Sequence, residues 1–182
     1  MTLFGSLHPT QKSYKIPWLL AVGYVLLFMI LDWVSFIRPL QGLNITPWSP
    51  QPALAIAMLL WSRRWLWIVW ISLLMAELVV RGTPADWFLV LTSTAALSLV
   101  YAAIAQALRT RLDLRLVFST QREFLWFTAI VVTGALLSSV VYIATFSMGG
   151  VELKSSFYEA VARYWVGDAA GLIVLLPMFL VA

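Results

Sequence analysis

The chain has 182 residues, 62% hydrophobic and 11% charged, with a mean hydropathy of +0.91. A soluble domain is nearer half apolar and a quarter charged, so the bilayer is the expected solvent from end to end. The net charge of +4 comes from Lys and Arg spread over short loops, which the positive-inside rule explains without a nucleic-acid partner, and the lack of cysteine excludes disulfides, thiolate metal sites and a cysteine nucleophile.

Residues 1–15 read as a polar cytoplasmic tail holding the single histidine, His8. One histidine there cannot furnish a haem or a three-histidine zinc site, and no cofactor is expected. The tail lacks a small-residue cleavage site, so the apolar run after it is a retained span rather than a signal peptide. That first span is predicted over 16–37. Residues 38–52, "RPLQGLNITPWSPQP", hold four prolines and cannot be a regular helix. Residues 53–61 are apolar but short, "SRR" interrupts at 62–64, and 65–80 are apolar again. One reading is a single long helix with two arginines at its middle, each costing about 2.5–3.5 kcal/mol. The favoured reading is a tight turn that lets both arginines reach headgroups. The helix over 53–61 then spans only about half the bilayer, and must borrow residues from "PWSPQP".

Thr83, Pro84 and Asp86 give a helix-start pattern before a span over 86–108. A loop with Arg109, Arg111, Arg115 and Arg122 follows, then a span over 124–146. Residues 147–156 read as a loop, and a final span runs from 160 to 182. The fold class is therefore all-α: a polytopic helical bundle of six transmembrane helices. Lys12, Lys15, Arg63, Arg64, Arg109, Arg111, Arg115 and Arg122 fall on one side, against Arg38, Arg81, Lys154 and Arg163 on the other. That bias predicts N-in and C-in. The single-long-helix reading would leave five spans. The chain stops in an apolar helix, which predicts a fragment of a longer protein, cut before a cytoplasmic domain.

With this topology the span-embedded acids Asp32, Glu77 and Asp168 all fall in the outer half of the membrane. Ionisable side chains within spans are costly and usually face a bundle interior or a wet cavity. Three at similar depth point to one polar site open to the outside. The plainer alternative is pairing that locks helices: Glu77 with Arg81, Arg163 with Asp168 or another acid, and Asp32 snorkelling. Asp168 is flanked by Gly167, Ala169, Ala170 and Gly171, which let another helix or a ligand approach the backbone closely. Trp18, Trp87, Trp126, Trp65 and Trp67 are expected in the interfacial belt. Trp48 and Trp165 lie beside the irregular loop and the Arg163–Asp168 stretch, where they could wall a ligand. No P-loop, dinucleotide fingerprint or nucleophile elbow occurs. Three acids could hold a hard cation, but the neighbouring arginines argue against it, and no metal is expected.

The stretch "ITPWSPQPALAIAMLLWSRRWLWIVWISLLMAELV" resembles the front half of the bacterial membrane-associated sensor domains, first class of the MASE group. Trp48, Pro50 and Pro52 stand for that family's opening turn, and Ser62, Arg63, Arg64 and Trp65 for the turn between its short helices. Trp165, Gly167, Asp168, Gly171 and Pro177 follow its closing pattern in order. The resemblance covers 16–182; "WSPQP" departs where the family often has Thr or Gly after the second proline. It implies an input module ahead of a cytoplasmic output domain, a histidine kinase or a diguanylate cyclase with the kinase favoured, in a bacterial inner membrane. It also implies a homodimer. The chain alone should then have no enzymatic activity. A small ligand is expected among Trp48, Glu77, Arg163, Trp165, Asp168 and Asp32. A solute transporter, or a plain membrane anchor with the charges as helix glue, are the other readings.

Overall fold

Inside a bilayer every backbone N–H and C=O must find its partner within the protein, and helices meet that demand locally. The computed structural model, which describes residues 18–35, 48–81, 86–112, 120–151 and 155–181, has only helical elements among them. They are α1 (Trp18–Ser35), α2 (Gln51–Trp61), α3 (Leu66–Met75), α4 (Trp87–Arg111), α5 (Gln121–Met148) and α6 (Phe157–Val181). Four of them, α1, α4, α5 and α6, are long and apolar enough to cross a membrane. Their outward side chains are apolar: Leu19, Leu26 and Ile30 on α1 and Val174 and Met178 on α6 are exposed. A surface of this kind suits lipid.

The break expected at 62–64 is present. Ser62 is extended (φ −154°, ψ 133°) and its hydroxyl accepts a hydrogen bond from the Arg64 amide. A 3-10 turn, Arg63–Trp65, then leads into α3, which opens at its far end into a π turn, Ala76–Arg81. Two helices thus replace the single long one. α2 does take Gln51 and Pro52 from the turn-rich segment. Its 11 residues still rise only about 16 Å, roughly half of the hydrocarbon core. This short helix is the centre of the molecule: it packs on α1, α3, α4 and α6, and Ala53, Ala55 and Ile56 are fully buried.

Successive helices alternate in direction. Gln51 at the start of α2 meets Asp32 and Ser35 at the end of α1. Arg109 at the end of α4 meets Leu59 and Leu60 near the end of α2. Arg111 lies over the Trp126 ring near the start of α5, 4.8 Å from its centroid. One end of the bundle therefore gathers Arg63, Arg64, Arg109, Arg111 and Arg122, while the span-embedded acids Asp32, Glu77 and Asp168 lie toward the other.

Local signals set the helix ends. Thr120 and Glu123 form a capping box at the start of α5. At its far end Gly150 takes φ +81°, with Val151 N–H donating to Phe146 O and Gly150 N–H to Ser147 O, a Schellman motif. Thr83 and Pro84 lie outside the described residues; α4 starts at Trp87, and Asp86 precedes it as an extended N-cap rather than joining the first turn. The tail with His8, Lys12 and Lys15, and also Arg38, Arg115 and Lys154, lie outside the described residues as well. One belt assignment is corrected. Trp65 is 3% exposed and stacks on Trp61 with ring centroids 6.0 Å apart, because the 3-10 turn points it into the core. Trp18, Trp67, Trp87 and Trp126 are exposed, as a belt requires.

α6 and the segment entering α2 touch backbone to backbone. The Ser49 N–H donates to the Gly167 carbonyl at 3.2 Å, and a Cβ on Gly171 would come within 2.0 Å of the Ser49 carbonyl oxygen. Gly171→Ala should therefore lower unfolding stability in detergent by about 1–3 kcal/mol. Gly23→Ala, with nothing within 4 Å of the added methyl, should leave it unchanged or raise it by up to about 1 kcal/mol. Equal thermal shifts in the two variants would refute the close approach.

A buried polar junction as candidate functional site

Asp32, Glu77 and Asp168 are 2%, 3% and 1% exposed. None snorkels to a surface. Each is reached by a different helix and held by a different donor. Tyr24, Phe28, Asp32 and Ser35 form one buried stripe on α1 at helical spacing, so burying the apolar members carries Asp32 inward with them. There the Gln51 amide donates to Asp32 Oδ1 at 2.7 Å and to Ser35 Oγ at 2.6 Å, and the Ser35 hydroxyl donates to the Asp32 carbonyl at 3.0 Å. Gln51 is itself buried, and its Oε1 accepts no hydrogen bond from the described residues.

Glu77 sits in the π turn that follows α3. Such widened turns often mark functional positions. Its carboxyl oxygens accept from the Tyr142 hydroxyl at 3.2 and 3.1 Å. Tyr142 in turn stacks on Tyr164 of α6, centroids 4.9 Å apart. One turn before Tyr142 on α5, the Ser138 hydroxyl lies 3.1 Å from Asp168 Oδ2 and 2.9 Å from the Ala135 carbonyl, so it serves both.

These groups converge. Glu77, Asp168, Gln51, Tyr142 and Tyr164 all line one cavity of about 20 Å³, and Asp32 joins it through Gln51. That volume accepts a water molecule and nothing much larger. The start of α2 forms part of the same wall through Ser49, Gln51 and Pro52. Helix N-termini carry a partial positive charge, which favours carboxyl groups beside them by up to about 2 kcal/mol in partly buried settings. Pro50 and Pro52 have no N–H, so two donors that this buried helix start would otherwise leave unsatisfied are missing from the outset.

Of the six candidate ligand residues, the structure gathers three. Arg163 stands apart: it is 48% exposed and ion-pairs with Glu159, one turn earlier on α6, instead of with Asp168. A five-residue separation puts the two on different faces of α6, whereas four aligns Arg163 with Glu159. Trp48 is exposed at the start of the described segment before α2. Trp165 is half-buried and donates its indole N–H to the Val132 carbonyl at 3.0 Å, tying α6 to α5. Neither tryptophan lines the cavity. The Arg81 side chain lies outside the described residues, and with it the Glu77–Arg81 pair. Among the described residues, no three His, Cys, Asp or Glu side chains stand close enough to share a metal ion. Sequence reasoning passed over Gln51, Ser138, Tyr142 and Tyr164. A signal existed for the first: a glutamine between two prolines, opening an apolar helix, has to be satisfied by other helices.

Long apolar helices that turn apolar side chains outward and bury their span-embedded acids inside define a multi-pass membrane protein. The model of the MASE1 family matches residues 18–182, and the chain belongs to that family: it is a membrane-associated sensor domain. No curated protein and no solved structure matches it.

Gln51→Leu keeps the side-chain volume but removes the donor to Asp32. It should destabilise the bundle by about 1–3 kcal/mol, read as a lower melting temperature in detergent. Gln51→Glu should not restore the loss, because it sets a second carboxyl against the first. Wild-type melting of Gln51→Leu would mean that the Asp32 contact carries no weight.

Proposed function

We propose that this domain is the input module of a bacterial signalling protein and that its buried junction is where the signal enters. Family membership supports the sensor reading, and one observation carries the choice of site: three buried acids from α1, the π turn and α6 meet around the start of α2. Nothing else among the described residues brings so many helices to one polar point. The transporter reading gains no such support.

The size of the cavity suggests how sensing works. A ligand larger than water can enter only if α2 and α6 move apart, and that contact is a backbone hydrogen bond over a pair of glycines. Binding therefore selects a second packing of α6 against its neighbours. α6 runs from the acidic end toward the basic end, and so toward an output domain in the cytoplasm. The arginines gathered at the basic end support N-in and C-in by the positive-inside rule. In this reading α2 and α3 make two further crossings, giving six, in the inner membrane. A homodimeric histidine kinase is the output domain we favour over a diguanylate cyclase. The signal is a small polar ligand from the periplasm or the membrane, recognised by Asp168, Glu77 and the Asp32–Gln51 pair.

Two tests follow. In the full-length protein, Asp168→Asn and Glu77→Gln should abolish or lock the change in output at unchanged membrane abundance, while Arg163→Gln should respond as wild type. A response in all three indistinguishable from wild type would leave only a tether. For topology, a cysteine placed at Ser62 should react with impermeant thiol reagent only from the cytoplasmic side, and one at Ser156 only from the periplasmic side; the reverse pattern contradicts the orientation.

A further inference from the structure

The end of the bundle remote from the acids has its own pocket. α2, the Arg63–Trp65 turn and α4 leave between them a space of about 290 Å³. Its walls are leucine and alanine side chains, Leu66 and Ala103 among them, and its polar residues are Arg63, Gln106 and Arg109. Arg109 donates through Nη2 to the carbonyls of Leu59 and Leu60 at 2.5 and 2.7 Å, near the C-terminal end of α2, where the helix dipole is negative. Arg63 donates to Gln106 Oε1. Both guanidiniums are therefore held in place, yet each has five N–H donors and spends only part of them on the described residues.

Two fixed positive charges on one pocket repel each other, and an anion between them removes the repulsion. The depth is informative too. Arg63 lies in the break between two apolar helices and Arg109 in the last turn of α4, the level at which acyl chains give way to headgroups. Guanidinium groups pair with phosphate oxygens through short, charge-assisted hydrogen bonds. An apolar slot beside such a pair matches an amphiphile whose phosphate and chain are joined, and basic pockets between helices on the cytoplasmic side are suited to anionic lipid.

We propose that this pocket binds one anionic phospholipid of the phosphatidylglycerol type. Its phosphodiester sits between Arg63 and Arg109, and the top of one acyl chain lies against Leu66 and Ala103. The site is independent of the acidic junction but shares α2 with it, so lipid composition acts on the same short helix from its other end.

The test is native mass spectrometry of the purified chain in detergent, titrated with phosphatidylglycerol or with phosphatidylcholine of the same acyl chains. One phosphatidylglycerol should be retained, with phosphatidylcholine about tenfold weaker. Arg63→Gln should lower retention by a similar factor. Ala103→Phe, which fills the slot and keeps both charges, should lower it as well. Arg64→Gln, altering an exposed neighbour outside the pocket, should leave it unchanged; melting curves confirm that each variant is folded. sn-Glycerol 3-phosphate offers the phosphate without the chain and should not compete at equal concentration. Equal retention of the two lipids, wild-type retention by Arg63→Gln or Ala103→Phe, a matching loss in Arg64→Gln, or full competition by glycerol 3-phosphate would each overturn the proposal.

Discussion

The whole arrangement depends on one backbone hydrogen bond, from Ser49 N–H to the Gly167 carbonyl, made where the chain turns into α2. A helix of 11 residues rises through only about half of the hydrocarbon core, so its first turn lies inside the protein, away from water. Every polar group of that turn then needs a partner or must be absent. Pro50 and Pro52 remove two amides, Ser49 pairs with α6, and Gly171 supplies the room for the Ser49 carbonyl. Substituting any larger residue at Gly171 would push α2 off α6, and with it the wall of the cavity.

From this constraint the polar site follows. The start of α2 brings a partial positive charge into the bundle, and carboxyl groups collect around it. Asp32 is held by Gln51, Glu77 by Tyr142 and Asp168 by Ser138. Each pair joins two helices, so the junction fixes their packing. At its other end α2 is capped by Arg109.

Much of this was legible in the sequence. Hydropathy and charge spacing predict the helices and the break at Ser62, because insertion cost forbids Arg63 and Arg64 at mid-span. Depth alone brought Asp32, Glu77 and Asp168 to one level, and the glycines around Asp168 announced a close approach. The partners were not legible. Which face of α6 carries Arg163 depends on whether four or five residues separate it from its acid, and the turn toward Glu159 decides this. Trp65 looks interfacial beside two arginines until the 3-10 turn rotates it inward. Ser138 and Tyr142 are unremarkable in an apolar helix, since a serine can also bond to its own backbone; only the fold sets them opposite carboxyl groups.

The central claim is that acids from separate helices face one hollow. A double-mutant cycle on Glu77→Gln and Asp168→Asn, measured as unfolding free energy in detergent, tests it without knowledge of the ligand. Residues sharing a cavity couple, so the double variant should differ from the sum of the singles by about 0.5 kcal/mol or more. Additivity within about 0.3 kcal/mol, the behaviour of independent sites, would contradict the shared hollow and the sensing mechanism built on it.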